Sequence, residues 1–451
     1  MERYNEYKDS GVQWLGEIPS HWETRPLKYS CSLKGRIGWN GLRSEEFQDT
    51  AFAYLVTGQD FIGSEIDWSK CYQISQERYD EDPFIQLNNG DMLITKDGTI
   101  GKVAKVTNLD KPACLNSGIF VIKQKGSFFN QGFLYWMLSS NVLKEFNVYT
   151  QTGATIAHLY QNVFENMPCL LPPISEQQAI ATYLDTVTSK IDEAIAQQQK
   201  MIDLLNERKQ IIINNAVTKG LNPDAPMKDS GVDWIGEIPE HWEVSRIKNV
   251  ITLLTDYDAN GSFSDIAKNC NINNGTPYAW MVRTTDLVNN RVGIVEGNNY
   301  CDKKTYDYLA KSSLESGDLL MTKRGNVGMV YVVPECSCPM TLAPNLYLLK
   351  TKASDINNRY LMHYLSSTKP KSQLAILNKS TTLGALYKDD VKSLQIVLPP
   401  IDEQLLLAQF IDKELDKVDS VISNCNRQIS LLQERKQIII NDVVTGKVKV
   451  S

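Results

Sequence analysis

Two short strings contain residue types that are used in catalysis, at spacings close to those of known catalytic motifs. Glu81-Asp82-Pro83-Phe84 approaches the Asn/Asp-Pro-Pro-aromatic loop that holds a flipped base in adenine methyltransferases, but it lacks the second proline. The segment from Gly98 to Lys102 has phosphate-loop residues without the Gly-x-x-x-x-Gly-Lys-Ser/Thr spacing that cradles a phosphate. Both strings are therefore predicted to be turns.

A third string, Glu207-Arg208-Lys209, returns as Glu434-Arg435-Lys436 and resembles the Glu-x-Lys half of a nuclease site. Both copies fall within predicted long helices and lack an upstream Pro-Asp strand end. Charge on a helix surface, or docking of a partner, explains them better than metal-assisted cleavage. The chain is therefore predicted to carry no catalysis of its own.

The nine cysteines and four histidines do not form a metal motif. Cys336-Ser-Cys338 is too little for a zinc site, so we expect reduced cysteines packed as small apolar residues. The sequence has no run of eighteen apolar residues and begins without an apolar signal region. We therefore expect a cytoplasmic protein with no membrane span, no bound metal and no cofactor.

The elements that would position any site come from an internal repeat. Residues 8–23 return as 228–243 with three differences, an offset of 220, whereas the later repeated segments are offset by 227. The second copy thus gains seven residues between Glu243 and Gly317. Near-identical ends around dissimilar middles indicate one scaffold that carries two different surfaces. The later pairs are 90–98 with 317–325, 171–177 with 398–404, and 204–214 with 431–441.

Each copy is predicted to be an α+β segment followed by a long helix. In the first copy, strands are expected at 92–95 and 103–106, with turns at Gly98 and Gly101. A helix is expected from Gln131 to Lys144, and another at 357–366 in the second copy.

A long helix is predicted after each Leu-Pro-Pro, because the prolines bar helix before them, and Ser175 and Asp402 suit the N-cap position. Each helix would be about 60 Å long. Apolar residues at three-four spacing predict that the two helices pair as an antiparallel coiled coil, with Gln198 and Cys425 at matching positions. The predicted seam comprises Leu184, Val187, Ile191, Ala194, Met201, Leu205 and Ile212 on the first helix, and Ile411, Val418, Val421, Leu432 and Ile439 on the second.

The resulting fold class is α+β, with two tandem globular domains separated by two long antiparallel helices in a pseudo-two-fold, pseudo-cyclic repeat. The predicted segments are 1–172 (leading segment and first domain), 173–217 (first helix), 218–399 (linker, second leading segment and second domain) and 400–451 (second helix and tail). A pseudo-cyclic chain should bring its two ends within about 50 Å, the reach of the 15-residue junction between the copies.

These motifs resemble a known family. The repeated Asp-Ser-Gly-Val-x-Trp-x-Gly-Glu-Ile-Pro-x-His-Trp, the Leu-Pro-Pro-Ile-x-Glu-Gln helix starts and the Glu-Arg-Lys-Gln-Ile-Ile-Ile-Asn helix ends are similar to those of specificity subunits of Type I restriction–modification enzymes. Gly35–Gly41 is typical of one recognition-domain subtype, and 258–263 with 282–287 of another.

The resemblance implies a non-catalytic subunit whose two domains each read one half of a split, asymmetric DNA target. The long helices would set the distance between the halves. Two methyltransferase subunits would assemble on the chain, with motor-nuclease subunits in the full complex. S-adenosylmethionine, ATP and Mg²⁺ would belong to those partners.

Within that expectation, DNA contacts should lie on loops that offer base readers and phosphate-binding cations. Lys96, Lys102 and Lys105 flank the first hairpin, and Lys323, Arg324 and Asn326 flank the second. The remaining candidate readers are Arg36, Trp39, Asn40 and Arg43 in the first domain, and Asn260, Ser262 and Arg283 in the second.

The net charge of −6 runs against this reading, because a lone DNA-binding domain is usually basic. Local basic loops, and phosphate contacts made by partners, would reconcile a net negative charge with DNA binding. Three alternatives stay open: the recognition subunit of another multi-subunit restriction enzyme, a repeat scaffold that binds only proteins, and an enzyme in its own right.

Overall fold

The computed structural model describes residues 2–36, 42–150, 158–294, 299–377 and 385–450. They form two compact units, 1–198 with 426–451 and 199–425, so that the division falls inside both long helices. Each unit therefore contains one α+β domain, the first half of the helix that follows it and the second half of the other copy's helix. No helix in these ranges combines the length and apolarity needed to cross a bilayer.

Unit 1 is built on a four-stranded sheet in the order β10-β9-β12-β4 and a three-stranded sheet in the order β11-β5-β8. Its helices are α1 (Leu27–Ser30), α2 (Gln76–Asp80), α3 (Gln131–Ser139), α4 (Asn141–Thr150), α5 (Gln161–Phe164) and the start of α6 (Ile174–Lys219). Its strands are β1 (Tyr7–Asp9), β2 (Glu17–Pro19), β3 (Glu23–Pro26), β4 (Cys31–Gly35), β5 (Ala53–Val56), β6 (Phe61–Ile62), β7 (Glu65–Ile66), β8 (Tyr72–Ile74), β9 (Met92–Thr95), β10 (Val103–Lys105), β11 (Ala113–Leu115), β12 (Ile119–Gln124) and β13 (Pro168–Leu171).

Unit 2 repeats this plan with sheets in the orders β17-β24-β21-β22 and β19-β18-β23-β20. Its helices are α7 (Ile247–Val250), α8 (Phe263–Asn269), α9 (Thr284–Val288), α10 (Lys303–Tyr308), α11 (Asn358–Ser366), α12 (Thr368–Leu377), α13 (Lys388–Ser393) and the start of α14 (Ile401–Val444). Its strands are β14 (Met227–Asp229), β15 (Glu237–Pro239), β16 (Glu243–Arg246), β17 (Ile251–Asp256), β18 (Ala279–Val282), β19 (Tyr300–Cys301), β20 (Ser313–Leu314), β21 (Leu319–Thr322), β22 (Val330–Val332), β23 (Met340–Leu342), β24 (Leu346–Thr351) and β25 (Gln395–Leu398).

The predicted strands at 92–95 and 103–106 and the helix at 357–366 are confirmed, within a residue at their ends. The single helix predicted from Gln131 to Lys144 is wrong, because Ser140 separates α3 from α4. The Ser140 hydroxyl donates to the Met137 carbonyl (2.7 Å) and accepts from the Val142 amide (3.2 Å). Such local hydrogen bonds compete with the continuing helical ladder.

A buried tryptophan in each repeated leading segment anchors the end of a long helix. Trp22 is fully buried with Val443 and Val444 of α14 in unit 1, and Trp242 is fully buried with Ala216 and Val217 of α6 in unit 2. Each tryptophan therefore joins its leading segment to the end of a long helix in the same core.

A left-handed glycine follows each long helix and lies against the same tryptophan. Gly446 (φ 73°) ends α14, and a Cβ there would lie 3.1 Å from Trp22 Cη2; at Gly220 (φ 74°), after α6, the matching distance to Trp242 Cζ2 is 3.2 Å. Both positions therefore need glycine for backbone and packing reasons at once.

The two long helices pack together in an antiparallel register that is repeated in each unit. In unit 1, Lys436 Nζ lies 2.7 Å from Asp192 Oδ2; in unit 2, Lys209 Nζ lies 2.6 Å from Asp419 Oδ1. These pairs are repeat equivalents, offset by 227. They give the lysine of each repeated Glu-Arg-Lys string a structural role in helix pairing. Because their carboxylates are half-exposed, the pairs add little stability.

The predicted seam is correct in part. Leu184, Ile191, Ile411 and Val418 are buried, whereas Met201 and Val421 are 48% and 45% exposed. On α6 the buried stripe passes instead through Ile202 and Ile213, at spacings of eleven residues. An eleven-residue repeat follows the pitch of an α-helix more closely than a seven-residue repeat does. The three-four spacing used in the prediction therefore drifts away from the buried face along the helix.

A buried glutamine fixes the start of each long helix. The helices begin at Ile174 and Ile401, so the predicted N-caps Ser175 and Asp402 lie one residue inside them. Gln177 Nε2 donates to the carbonyls of Pro172 (2.9 Å) and Phe128 (3.1 Å), and Gln404 makes the matching pair of bonds in unit 2. These bonds supply a physical reason for the repeated Leu-Pro-Pro-Ile-x-Glu-Gln.

The chain's two ends meet, as the pseudo-cyclic repeat predicts. The Lys449 amide donates to the Glu2 carbonyl at 2.9 Å, and the Tyr7 hydroxyl donates to the Gly446 carbonyl at 3.1 Å. In unit 1 the end of α14 and the first leading segment thus contact each other although they lie at opposite ends of the chain. In unit 2 the two equivalent elements are joined by continuous chain.

Candidate nucleic-acid interface

Each domain presents a β-hairpin whose turn has the same geometry. In unit 1 the Thr95 hydroxyl accepts from the Lys102 amide (3.0 Å) and donates to the Thr99 carbonyl. In unit 2 the Thr322 hydroxyl accepts from the Met329 amide (2.9 Å) and donates to the Asn326 carbonyl. Left-handed glycines occupy matching turn positions: Gly98 and Gly101, Gly325 and Gly328. The predicted Gly-containing hairpin is confirmed in both copies.

The residues that these equal turns display are different. Asp97 and Thr99 stand in the first turn where Arg324 and Asn326 stand in the second, and all four are exposed. Asp97 contacts His158, which lies beside the ring of Tyr160 at 4.5 Å between centroids. One turn thus carries an exposed carboxylate beside an imidazole, and the other carries an exposed guanidinium.

A second loop repeats after the strands β5 and β18, which pair in parallel with β11 and β23. In unit 1 the buried Asp60 accepts from the amide and hydroxyl of Thr57 (2.7 and 2.9 Å). In unit 2 the buried Asp286 accepts from the amide and Nε of Arg283 (3.2 and 3.1 Å). A buried aspartate therefore closes a four-residue loop in each domain.

In unit 1 this loop and the hairpin turn line one cleft of about 450 Å³. Its walls combine a cation, a carboxylate, hydroxyls, amides and two aromatic rings. The residues that line it are Phe47, Thr57, Gly58, Gln59, Tyr72, Thr95, Asp97, Gly98, Thr99, Lys102 and Asn116. A groove with these polar groups can offer donors and acceptors to base edges and a cation to a phosphate.

The predicted DNA-contacting residues fall into three groups by exposure. The exposed residues are Arg43, Lys102, Ser262, Arg324 and Asn326. Half-exposed cations are Lys96 and Lys105, whose Nζ atoms lie 4.8 and 4.6 Å from the ring centroids of Phe120 and Tyr135, and Arg283, whose Nη2 lies 2.8 Å from Asp286 Oδ1.

The third group consists of residues held by contacts within their own domain, two of them buried and Asn260 partly buried. Arg36 is 2% exposed, and its Nε donates to the Leu115 carbonyl at 3.0 Å. Asn260 Nδ2 donates to Tyr257 O (3.0 Å) and Ser312 Oγ (2.9 Å). Lys323, 6% exposed, is also in this group. These three side chains are less exposed than the loop positions we expected, and Trp39 and Asn40 lie outside the described residues.

Lys323 belongs to an ionic cluster beneath the second hairpin. Its Nζ lies 3.0 Å from Asp256 Oδ2 and 2.7 Å from Asp258 Oδ2, and Lys388 Nζ lies 2.9 Å from Asp256 Oδ1. Burial raises the pKa of Asp256, but hydrogen bonds from Lys388 and Lys323 outweigh it and hold that pKa below its ordinary value. The cluster therefore fixes the strand below the turn while the neighbouring Arg324 stays exposed.

This pKa predicts acid sensitivity. A depressed folded-state pKa contributes stability that is present above the unfolded value of about 3.9 and is lost as the pH falls through the folded value. We expect Lys388→Ala to lower the free energy of unfolding at pH 7 and to flatten its fall between pH 5 and pH 3, as measured by chemical denaturation. Lys392→Ala, which removes an exposed ion pair with Asp389, should leave the pH profile unchanged. Equal profiles for the two variants would contradict the cluster's role.

Comparison with known proteins decides the family. The sequence profile of the type I restriction modification DNA specificity domain matches residues 42–202 and again residues 239–431. The chain belongs to this family. Specificity subunits are the non-catalytic recognition subunits of type I complexes, so the expectation of a non-catalytic Type I specificity subunit is confirmed.

Relatives of this specificity subunit match along almost its whole length. The type I restriction enzyme MjaVIII specificity subunit of Methanocaldococcus jannaschii is 28% identical over 463 residues, covering 100% of this chain and 98% of the relative. The EcoKI specificity subunit of Escherichia coli is 20% identical, covering 96% and 90%.

Two solved structures share the fold of this subunit. A chain from a study of assembly and conformational transition in a type I restriction–modification system has a TM-score of 0.68 at 17% identity, covering 96% of this chain and 99% of that one. The HsdS subunit of Thermoanaerobacter tengcongensis has a TM-score of 0.50 at 16% identity, covering 96% and 98%. Both confirm the predicted fold class.

Sequence reasoning missed the loops that Asp60 and Asp286 close. A signal was present, because Val56-Thr-Gly-Gln-Asp60 and Val282-Arg-Thr-Thr-Asp286 each contain the last valine of a strand followed, at equal spacing, by an aspartate. The signal was weak because only two of the five positions are identical.

Cys336 and Cys338 lie with their sulfurs 2.9 Å apart, and no group of three or more potential ligands for a metal occurs in the described ranges.

Proposed function

We propose that this specificity subunit reads a bipartite, asymmetric DNA target with one domain for each half-site. The observation that carries the proposal is the pair of equal hairpin turns that display different side chains, Asp97 and Thr99 against Arg324 and Asn326. One scaffold with two unlike reading surfaces suits a target whose halves differ. Base contacts specify sequence, whereas phosphate contacts only position the protein.

The exposed cations and amides at these turns are the best-supported DNA contacts. Lys102 and Arg324 lie at the turns themselves, and Asn326 adds an amide of the kind that pairs with adenine. Arg43 and Ser262 lie on other exposed segments. Arg36, Asn260 and Lys323 support these surfaces from within, so their effect on DNA binding should pass through the loops that they hold.

The partners that we propose are two methyltransferase subunits, with motor-nuclease subunits in the full complex. Leu204 and Ile211 on α6 are 50% and 57% exposed, and their repeat equivalents Leu431 and Ile438 on α14 are 54% and 50% exposed. A duplicated, exposed apolar stripe on near-identical helix segments suits one partner bound twice. Those partners would supply S-adenosylmethionine, ATP and Mg²⁺, and this function belongs to the cytoplasm.

The test of the proposed function is methylation-motif mapping in cells that express this chain with its methyltransferase. We expect one motif with two unlike halves separated by a fixed number of unspecified bases. A continuous motif, a palindromic motif or no methylation would each contradict the proposal.

Lys102 offers a quantitative test of phosphate contact. We expect Lys102→Ala to weaken binding of the methyltransferase complex to every duplex alike and to reduce the slope of log affinity against log salt by about 1. Lys70→Ala, at an exposed lysine outside the hairpin turn, is the matched control and should leave the slope unchanged. A loss confined to one sequence would instead make Lys102 a base reader.

A further inference from the structure

The loop between Thr57 and Asp60 has the features of a reading element. In each domain, a buried aspartate and a parallel pair of strands fix the two ends of this loop, and the residues between them differ in the two domains. The first loop contains Thr57-Gly58-Gln59, and the second contains Arg283-Thr284-Thr285. The exposed residue directly before the closing aspartate is Gln59 in one and Thr285 in the other.

Packing holds the first loop against the hairpin turn. A Cβ built on Gly58 would lie 2.9 Å from Thr95 Cγ2, so only glycine allows this approach. Thr95 in turn organises the turn through its bonds to Lys102 and Thr99. The backbone beside Gln59 therefore packs directly against the hairpin turn that carries Lys102.

The cleft beside Gln59 suits a base edge. Its charged lining residues are Lys102 and Asp97, and the Asp97 carboxylate contacts His158. The remaining polar groups are hydroxyls and amides, and the rings of Phe47 and Tyr72 pack with their centroids 5.3 Å apart and their planes tilted by 36°. An exposed amide in such a cleft can donate to N7 and accept from N6 of adenine through two different atoms, whereas a hydroxyl has a single oxygen for both roles.

We propose that Gln59 is a specificity-determining residue that reads an adenine in one half-site, with Thr285 at the equivalent position of the second domain. This inference rests on the proposed function and deepens it, because it assigns one base of one half-site to one side chain. The neighbouring Lys102 would hold the adjoining phosphate, so that position and sequence are read by two residues of one cleft.

The experiment compares Gln59→Ala and Gln59→Thr with Gln76→Ala in the assembled methyltransferase complex. Gln76 is an exposed amide of the same domain that does not line the cleft. Affinity is measured for duplexes in which each base pair of the mapped motif is replaced in turn. We expect both Gln59 variants to lose about 10- to 100-fold discrimination at one adenine-containing position of one half-site and none elsewhere.

The outcomes separate this inference from the proposed function. If the unaltered complex maps no bipartite motif, the proposed function fails. If it maps one and Gln59→Ala keeps full discrimination at every position, the inference about Gln59 fails alone. A uniform loss of affinity for all duplexes, or equal effects of Gln59→Ala and Gln76→Ala, would also overturn it. Thermal unfolding equal to that of the unaltered chain excludes misfolding as a cause.

Discussion

Replacing residues 24–168 with the equivalent segment of another specificity subunit is expected to change one half of the methylated motif completely and to leave the other half unaltered. The exchanged segment contains the hairpin, the loop that Asp60 closes and the cleft of unit 1. It contains none of the second domain, whose hairpin and loop lie at 279–332. Methylation-motif mapping of the exchanged subunit with its partners measures the result.

The structure explains why such an exchange should fold. The segment begins in β3 and ends in β13, which pair antiparallel with Thr24 opposite Leu170 and Pro26 opposite Pro168. Both ends of the exchanged segment therefore lie in one two-stranded sheet, beside the leading segment and α6. A domain inserted at two adjacent positions does not alter the path of the scaffold.

The reciprocal exchange is the control. Residues 244–395 begin and end in β16 and β25, where Val244 lies opposite Val397. Replacing them should change the half-site that the first exchange leaves intact. If either exchange alters both halves, or if both exchanges alter the same half, the assignment of one domain to one half-site is wrong.

The sequence predicts the repeated scaffold well because its determinants are local. Gly98 and Gly101 specify a turn that needs left-handed backbone, and Pro172-Pro173 marks the point where a helix begins. Ser140 shows the limit of such reasoning, since apolar periodicity continues across it while its hydroxyl interrupts the ladder. Local patterns predicted the elements and missed a break that depends on one side-chain hydrogen bond.

The candidate site was less predictable because burial depends on distant parts of the chain. Arg36 follows the edge strand β4 and looked like an exposed loop cation, yet its guanidinium reaches the carbonyl of Leu115, seventy-nine residues away. Lys323 was equated with Lys96 by the repeat, but Asp256 and Asp258 are specific to the second domain and pull it inward. The exposure of a repeated residue thus depends on the dissimilar middle segment of its own copy. The internal repeat does not predict the contacts made by that segment.

The fragment 1–220 is expected to form a dimer, because on its own it lacks a part of its core. In the full chain, Ile440, Val443 and Val444 of α14 are buried in unit 1, and Asn441 Oδ1 accepts from the Asn141 amide at 2.8 Å. The fragment contains the repeat equivalents of these four residues, namely Ile213, Ala216, Val217 and Asn214. A second copy can therefore supply the missing helix half to each domain.

Sedimentation equilibrium of the fragment measures its mass directly. Matched substitutions on one helix test the interface: Ile213→Asp places a carboxylate at a position that is 5% exposed in the full chain, whereas Met201→Asp changes a position that is 48% exposed. We expect the first to abolish dimerisation, because a buried, unpaired charge costs several kcal/mol, and the second to leave it intact. A fragment that stays monomeric with its methyltransferase present, or that dimerises equally with either substitution, would contradict the pseudo-cyclic arrangement. Since both halves of such a dimer carry the same cleft, its methylated motif should be a palindrome of the first half-site.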